Sequence, residues 1–355
     1  MKKFKKISFF GILLLFLFIA GCGDSSDSSS SISFEQSKNA NGNGNEEYTN
    51  GNEEYTIRIS NSVEEETPLH KGLIRFKEVV EEKSNGRIKV EVYSNGELYA
   101  SEREAIEAVQ AGLIEAASPA TAPISNFVKE FQVLDFMFIF DDIDEANSAL
   151  DGELGDILKE KLEENQLKGI GWGTAGLTQI TNSKGPIETI EDFKDLKIRT
   201  MENNIHLDSL TELGANPQPF AFGELYSALQ QNIFDGVQTT AQLIKSSNIY
   251  EVQDYITILD SSYTAEALIM NKNFYDSLPE DLQQVIDEAG EEFTEYEREV
   301  SKQFDEDAIE FLTEELEVNV LSDDVRKEIS KKLEHLIDKY ADEIGQEIVD
   351  LIKNR

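Results

Sequence analysis

From Tyr55 onward the chain alternates between two hydrophobic periods. Tyr55, Ile57 and Ile59 fall at every second position, with Thr56 and Arg58 between them, which predicts a strand. Leu73, Phe76 and Val80 then recur at helical spacing, and Asn85-Gly86 supplies the stop. Ile88, Val90 and Val92 alternate again. Ser101-Glu102-Arg103-Glu104 has the capping-box pattern and opens a second helix that ends near Gly112. Leu113 to Ala117 reads as a third strand. A βαβαβ succession predicts a mostly parallel sheet with helices on both faces.

The rhythm returns further on. Lys197-Ile198-Arg199 is a short strand, Asn203 to Leu213 a helix closed by Gly214, Gln218 to Ala221 a strand and Glu224 to Gln231 a helix. Two separate α/β units predict a cleft between them. Pro279 to about Leu316 is helical almost without a break, with Gly290 its weak point, and is long enough to cross both units. Ser322-Asp323-Asp324 begins a final amphipathic helix.

Upstream, the pattern is of another kind. Lys2, Lys3, Lys5 and Lys6 precede an uncharged apolar run from Ile7 to Ala20, which is too short to span a bilayer and fits a secretory signal. The run ends Phe18-Ile19-Ala20-Gly21-Cys22, and small residues before a lone Cys resemble the lipobox of bacterial lipoproteins. That resemblance implies cleavage before Cys22 and lipid on Cys22, an anchor of about 0.8 kcal/mol per buried CH2. Gly23 to about Glu54 is Ser, Asn, Gly and acid, including a tandem heptad that begins at Asn43 and again at Asn50. Such a segment has nothing to pack and predicts a flexible tether.

Charge narrows the partners. The 355 residues include 32 basic and 70 acidic side chains, a net of −38, and the cleaved chain would stand at −42. Nucleic acid is excluded as a default partner, because phosphates need Lys and Arg. One Cys excludes a disulfide framework, and three scattered His argue against a metal site. No G-x-S-x-G or H-E-x-x-H is present, so no cofactor, metal or catalytic residue is expected. Gly171-Trp172-Gly173-Thr174-Ala175-Gly176 matches the dinucleotide fingerprint. The residues after it, Thr178 to Pro186, read as a strand and turn, which favours a crossing between two domains. His70, His206 and His335 read as surface or capping residues, and Trp172 as a packing residue. Arg199 ends an apolar strand in a very acidic chain. Its planar fork suits a carboxylate at the crevice of an open α/β sheet, or a surface salt bridge.

Several fragments, in order, resemble the DctP-type solute-binding proteins of TRAP transporters. They are Thr67 to Gly72, Lys83 to Ile88, Ser101 to Val109, Ala122 to Phe127, Ile180 to Lys184, Leu196 to Arg199, Leu213 to Pro217, Glu224 to Gln231 and Phe234 to Val237. The resemblance spans about residues 54 to 355. It implies an α/β, two-lobed, type II periplasmic-binding-protein-like clamp with a long helix spanning both lobes. It also implies residues 1–21 as signal peptide, 22–53 as disordered tether, 54–175 plus 266–304 as lobe I, and 176–265 plus 305–355 as lobe II. The implied role is capture of a small organic acid for a TRAP membrane permease, without catalysis. A ligand-binding co-receptor for a membrane sensor kinase is the alternative. Arg199 is implied as the carboxylate contact, with Thr178, Thr239, Phe222, Thr121 and Phe138 around the ligand. Many members have Arg where this chain has Thr178, and Asn where it has Thr239. The missing second cation argues for one carboxylate with hydroxyl or keto groups, unless another base such as Arg103 reaches the cleft.

Overall fold

The computed structural model describes residues 53–353; the signal segment, Cys22 and the tether up to residue 52 lie outside the described residues. Strand β1 (Tyr55–Ser60) pairs in parallel with β2 (Ile88–Tyr93) and β3 (Ala116–Ala117). Helix α1 (Pro68–Lys83) joins the first two. Thr67 caps it by accepting from the His70 N–H, Pro68 sits in its first turn, and Gly86 at φ +76° follows its end. Leu73, Phe76 and Val80 bury their helical stripe on Ile57 and Ile59, as the periodicity predicts. Helix α2 (Glu102–Gln110) follows Ser101, but the Ser101 side chain makes no cap bond. Strand β3 is shorter than the predicted Leu113–Ala117. Glu115 accepts from the Arg58 guanidinium, and Leu113 is exposed.

The middle of the sheet departs from the expected parallel pattern. Strand β4 (Leu167–Asn182) runs antiparallel to β9 (Tyr263–Asn271) over its first part. Its last part lies between β7 (Gly236–Thr240) and β8 (Tyr255–Ile258), again antiparallel. Strand β5 (Lys197–Thr200) lies parallel between β7 and β6 (Asn216–Pro219), and β10 (Glu317–Val320) pairs with β8. The order is β2-β1-β3-β9-β4-β7-β5-β6, with β8 and β10 off this path. The two flanks are parallel α/β units, as read from the repeats. They are joined by long strands that cross in opposite directions, and this makes the centre antiparallel.

The G-x-G-x-x-G segment lies inside β4, and no helix begins there. Its glycines serve packing. A Cβ on Gly171 would fall 2.8 Å from the Gly290 carbonyl, and one on Gly290 would fall 2.4 Å from the Ile170 carbonyl. The backbones of β4 and the long helix Glu280–Glu315 therefore meet without side chains between them. This helix contributes Ile286, Ala289 and Phe293 to the core around β1, and Ala308 and Leu312 to a separate core around Val237 and Ile256. The fold is thus a two-lobed α/β clamp with one helix built into both lobes. Among the described residues no helix is long and apolar enough to cross a membrane.

Candidate functional site

Arg199 stands on β5, at the edge of the crevice between the two flanks. It is only 2% exposed. Its Nε donates to the Phe220 carbonyl at 2.9 Å, and the Phe222 ring centroid lies 5.8 Å from its Cζ. Among the described residues none forms an ion pair with it, although Glu102 and Glu202 attract it from further away. Burial pulls its pKa down to about 10, partly offset by those two carboxylates, so it is still a cation at neutral pH. A guanidinium held by one backbone bond and shielded from water has its two terminal amino groups available for a planar anion.

The cavity in front of Arg199 is shared by both flanks. Ser62 and Glu102 line it from one side, Thr239 and Phe222 from the other, and Thr264 and Glu266 from β9. It leaves about 20 Å³ for the centre of a water-sized sphere, room for about one water. Contacts across the crevice hold it this tight. Asn126 Nδ2 donates to the Glu202 carbonyl at 2.7 Å, Ser247 Oγ donates to Glu64 Oε2 at 2.9 Å, and Arg103 Nη1 lies 3.5 Å from Glu202 Oε2. Arg103 thus sits at the mouth, also paired with Glu107.

The structure brings Arg199, Phe222 and Thr239 into one cavity. Thr121 is buried nearby, where its Oγ1 donates to the Ala265 carbonyl at 3.3 Å. Thr178 is fully buried in β4, its Oγ1 within 2.8 Å of Ser261 Oγ and 2.9 Å of Ser262 Oγ. Phe138 lies elsewhere. At φ +58° it lines a groove against the Asp323–Ile344 helix, with the Arg326 guanidinium 5.4 Å from its ring. Trp172 packs on Phe131 with ring centroids 5.8 Å apart, as read from the sequence. His335 is exposed and His70 half-buried, but His206 is not a surface residue. Its ring is buried 3.0 Å from Asp135 Oδ1 and 3.1 Å from Gln238 Oε1, because Asn203 caps the helix and turns its first side chains inward.

Three lining residues escaped the sequence reading. Thr264 Oγ1 is buried without a hydrogen-bond partner. Glu266 is 5% exposed, and burial, with Glu297 and Glu102 nearby, holds its carboxyl well above the usual range. Glu102 is half-buried, accepts from the Ala120 N–H at 2.9 Å, and is likewise pushed up by burial. Glu266 carried a signal: it is the lone acid in the apolar run Tyr263 to Met270. A roomier recess is lined by three cations, Arg298, Lys302 and Arg326, but seven carboxyl groups line it with them, and Arg298 and Arg326 pair with Asp151 and Asp260, so it is acidic on balance. The Arg199 cavity is therefore the better anion site.

Comparison with known proteins identifies the family. The family model described as bacterial extracellular solute-binding protein, family 7 (DctP) matches residues 59–343. The C4-dicarboxylate-binding protein DctB of Bacillus subtilis is 32% identical over 294 residues, 82% of this chain and 84% of that protein. The crystal structure of the sugar acid binding protein DctPAm from Advenella mimigardefordensis in complex with galactonate superposes with a TM-score of 0.82. It is 32% identical, and the match covers 84% of this chain and 97% of that one. A TRAP periplasmic solute binding protein from Sulfurospirillum deleyianum with bound succinate gives 0.80 at 31% identity, covering 85% and 99%.

Proposed function

Because this chain belongs to the bacterial extracellular solute-binding protein family 7, we propose that it captures a small organic acid outside the cytoplasm and delivers it to a TRAP-type membrane permease. The observation that carries the reading is Arg199: a buried cation in a crevice between two lobes, with one backbone acceptor and, among the described residues, no ion-paired carboxylate. A ligand carboxylate supplies the missing partner by two parallel hydrogen bonds. Phe220 fixes the guanidinium through its carbonyl, and Phe222 covers it. Thr239 offers a hydroxyl beside it, while Thr121 and Thr178 support the surrounding backbone and strands.

The ligand enters when residues 54–175 plus 266–304 part from residues 176–265 plus 305–355. The hinge lies where β4 and β9 pass between them and the long helix spans both. Closure excludes water and strengthens the ion pair. The field of the acidic surface is screened beyond about 8 Å at physiological salt, so Arg199 decides the sign at the site. Processing at Cys22 places the protein on the outer face of the membrane, tethered by residues 22–53.

Titration calorimetry with a panel of organic acids tests the capture step. Arg199→Ala should weaken the bound acid by about 2–5 kcal/mol, a loss of about 30-fold or more, since a carboxylate would be buried unpaired. Equal affinity in the variant would remove Arg199, and with it this reading.

A further inference from the structure

The walls of the Arg199 cavity carry more information than the cation alone. Facing it are one guanidinium, two carboxyl groups and three hydroxyls: Arg199, Glu102, Glu266, Ser62, Thr239 and Thr264. One Glu102 oxygen accepts from the Ala120 N–H. The Glu266 carboxyl holds no hydrogen bond among the described residues, and Thr264 Oγ1 is buried without one, on the same strand two positions away. Buried polar groups without partners point to something that completes them.

From this arrangement we infer that the ligand is a polyhydroxylated monocarboxylate, an aldonate or uronate, and that Glu266 with Thr264 sets this specificity by pairing with its hydroxyl groups. The inference rests on the solute-binding role proposed for Arg199. Once the ligand carboxylate neutralises Arg199, no cation remains inside the cavity. Arg103, at the mouth, is committed to Glu107 and Glu202. A second ligand carboxylate would be buried beside Glu102 and Glu266 with no second cation in the cavity lining to pair it, and its desolvation would go uncompensated. A hydroxyl donates to Glu266 or Glu102 and accepts from Thr264, so every orphaned group gains a partner. The same logic makes the cavity reject an acid without hydroxyls, because the site's own polar groups would then stay unpaired. The position of Thr178 is consistent with a single-cation site. It stands where a second Arg would bring a positive charge, and its hydroxyl is instead tied to Ser261 and Ser262.

The test is titration calorimetry of the full chain with succinate and with a set of four- to six-carbon aldonates and uronates. It is repeated with Glu266→Gln, Thr264→Val and Arg199→Ala, each checked for an intact thermal transition. At least one hydroxylated monocarboxylate is expected to bind about 100-fold or more tighter than succinate. Glu266→Gln and Thr264→Val should each cut that ratio about tenfold, and the isosteric Thr264→Val should do so even if the Glu266 variant folds poorly. Succinate binding the native protein as tightly as every hydroxylated acid would overturn the inference, as would a ratio unmoved in both variants. If succinate binding is then still lost in Arg199→Ala, capture at Arg199 stands and only the ligand class falls. If no acid binds at all, both fall.

Discussion

Withdrawing a charged side chain from water costs several kcal/mol unless a partner is built around it, so buried charges mark what a sequence is specified to do. Arg199 was legible because its surroundings are local: an apolar strand, an acidic chain, and a strand edge at the crevice. Glu266 and Thr264 were harder to find, because their burial comes from β4 and the far lobe, packed against them from distant parts of the chain. His206 was misread for the same reason, since its partner Asp135 is 71 positions away. Asp305 gives a residue-scale check on the electrostatics. Burial, with Asp260 adding to it, raises its pKa from 3.8 to about 6, against a hydrogen bond from Gln242 that lowers it. A carboxyl with a raised native pKa favours the folded state at low pH. That contribution is whole below about pH 4 and is lost as pH rises through about 6. Asp305→Asn should therefore match the native protein in denaturant unfolding at pH 4, and exceed it at pH 8 by about 2–3 kcal/mol. A variant less stable at both values would mean that the carboxylate is stabilising.

At the scale of elements, the periods of hydrophobic residues located the helices and strands of the two α/β units, because each element buries its own stripe, but not β7, β8 or β9, which are buried on both faces and carry no alternation. Register and termini depended on partners further away. The capping-box pattern at Ser101 did not form its side-chain bond, and Glu102 was drawn to the Ala120 amide instead. The dinucleotide-like glycines proved to be a packing seam, since β4 and the long helix touch backbone to backbone at Gly171 and Gly290. Gly290 looked like a weak point in the helical run, yet it is where the helix can approach β4. Gly290→Ala should lower stability by about 1–3 kcal/mol or more, because the new Cβ meets the Ile170 backbone and cannot displace it cheaply. A thermal unfolding midpoint equal to the native one would show that the seam is loose.

At the scale of the whole molecule, the two α/β units were legible as a repeated rhythm. Their joining by antiparallel strands was not, because no local signal records which distant strand lies alongside. The clamp keeps its crevice narrow through bonds at several points around the rim, while one helix is rooted in both cores. Ligand capture in this design is a contest between those rim contacts and the ion pair a carboxylate would make with Arg199. The attachment proposed at Cys22 is independent of that contest. Cys22→Ala should move the protein from the detergent phase to the aqueous phase in detergent partitioning while leaving acid binding unchanged, and a variant that stays in the detergent phase would refute anchoring at Cys22. The most direct measurement of the central claim is a crystal structure with a tightly bound acid. The ligand carboxylate is expected in a two-bond contact with the Arg199 guanidinium, under Phe222 and between the lobes. A carboxylate bound elsewhere, such as the recess beside Arg298 and Arg326, with Arg199 untouched, would contradict it.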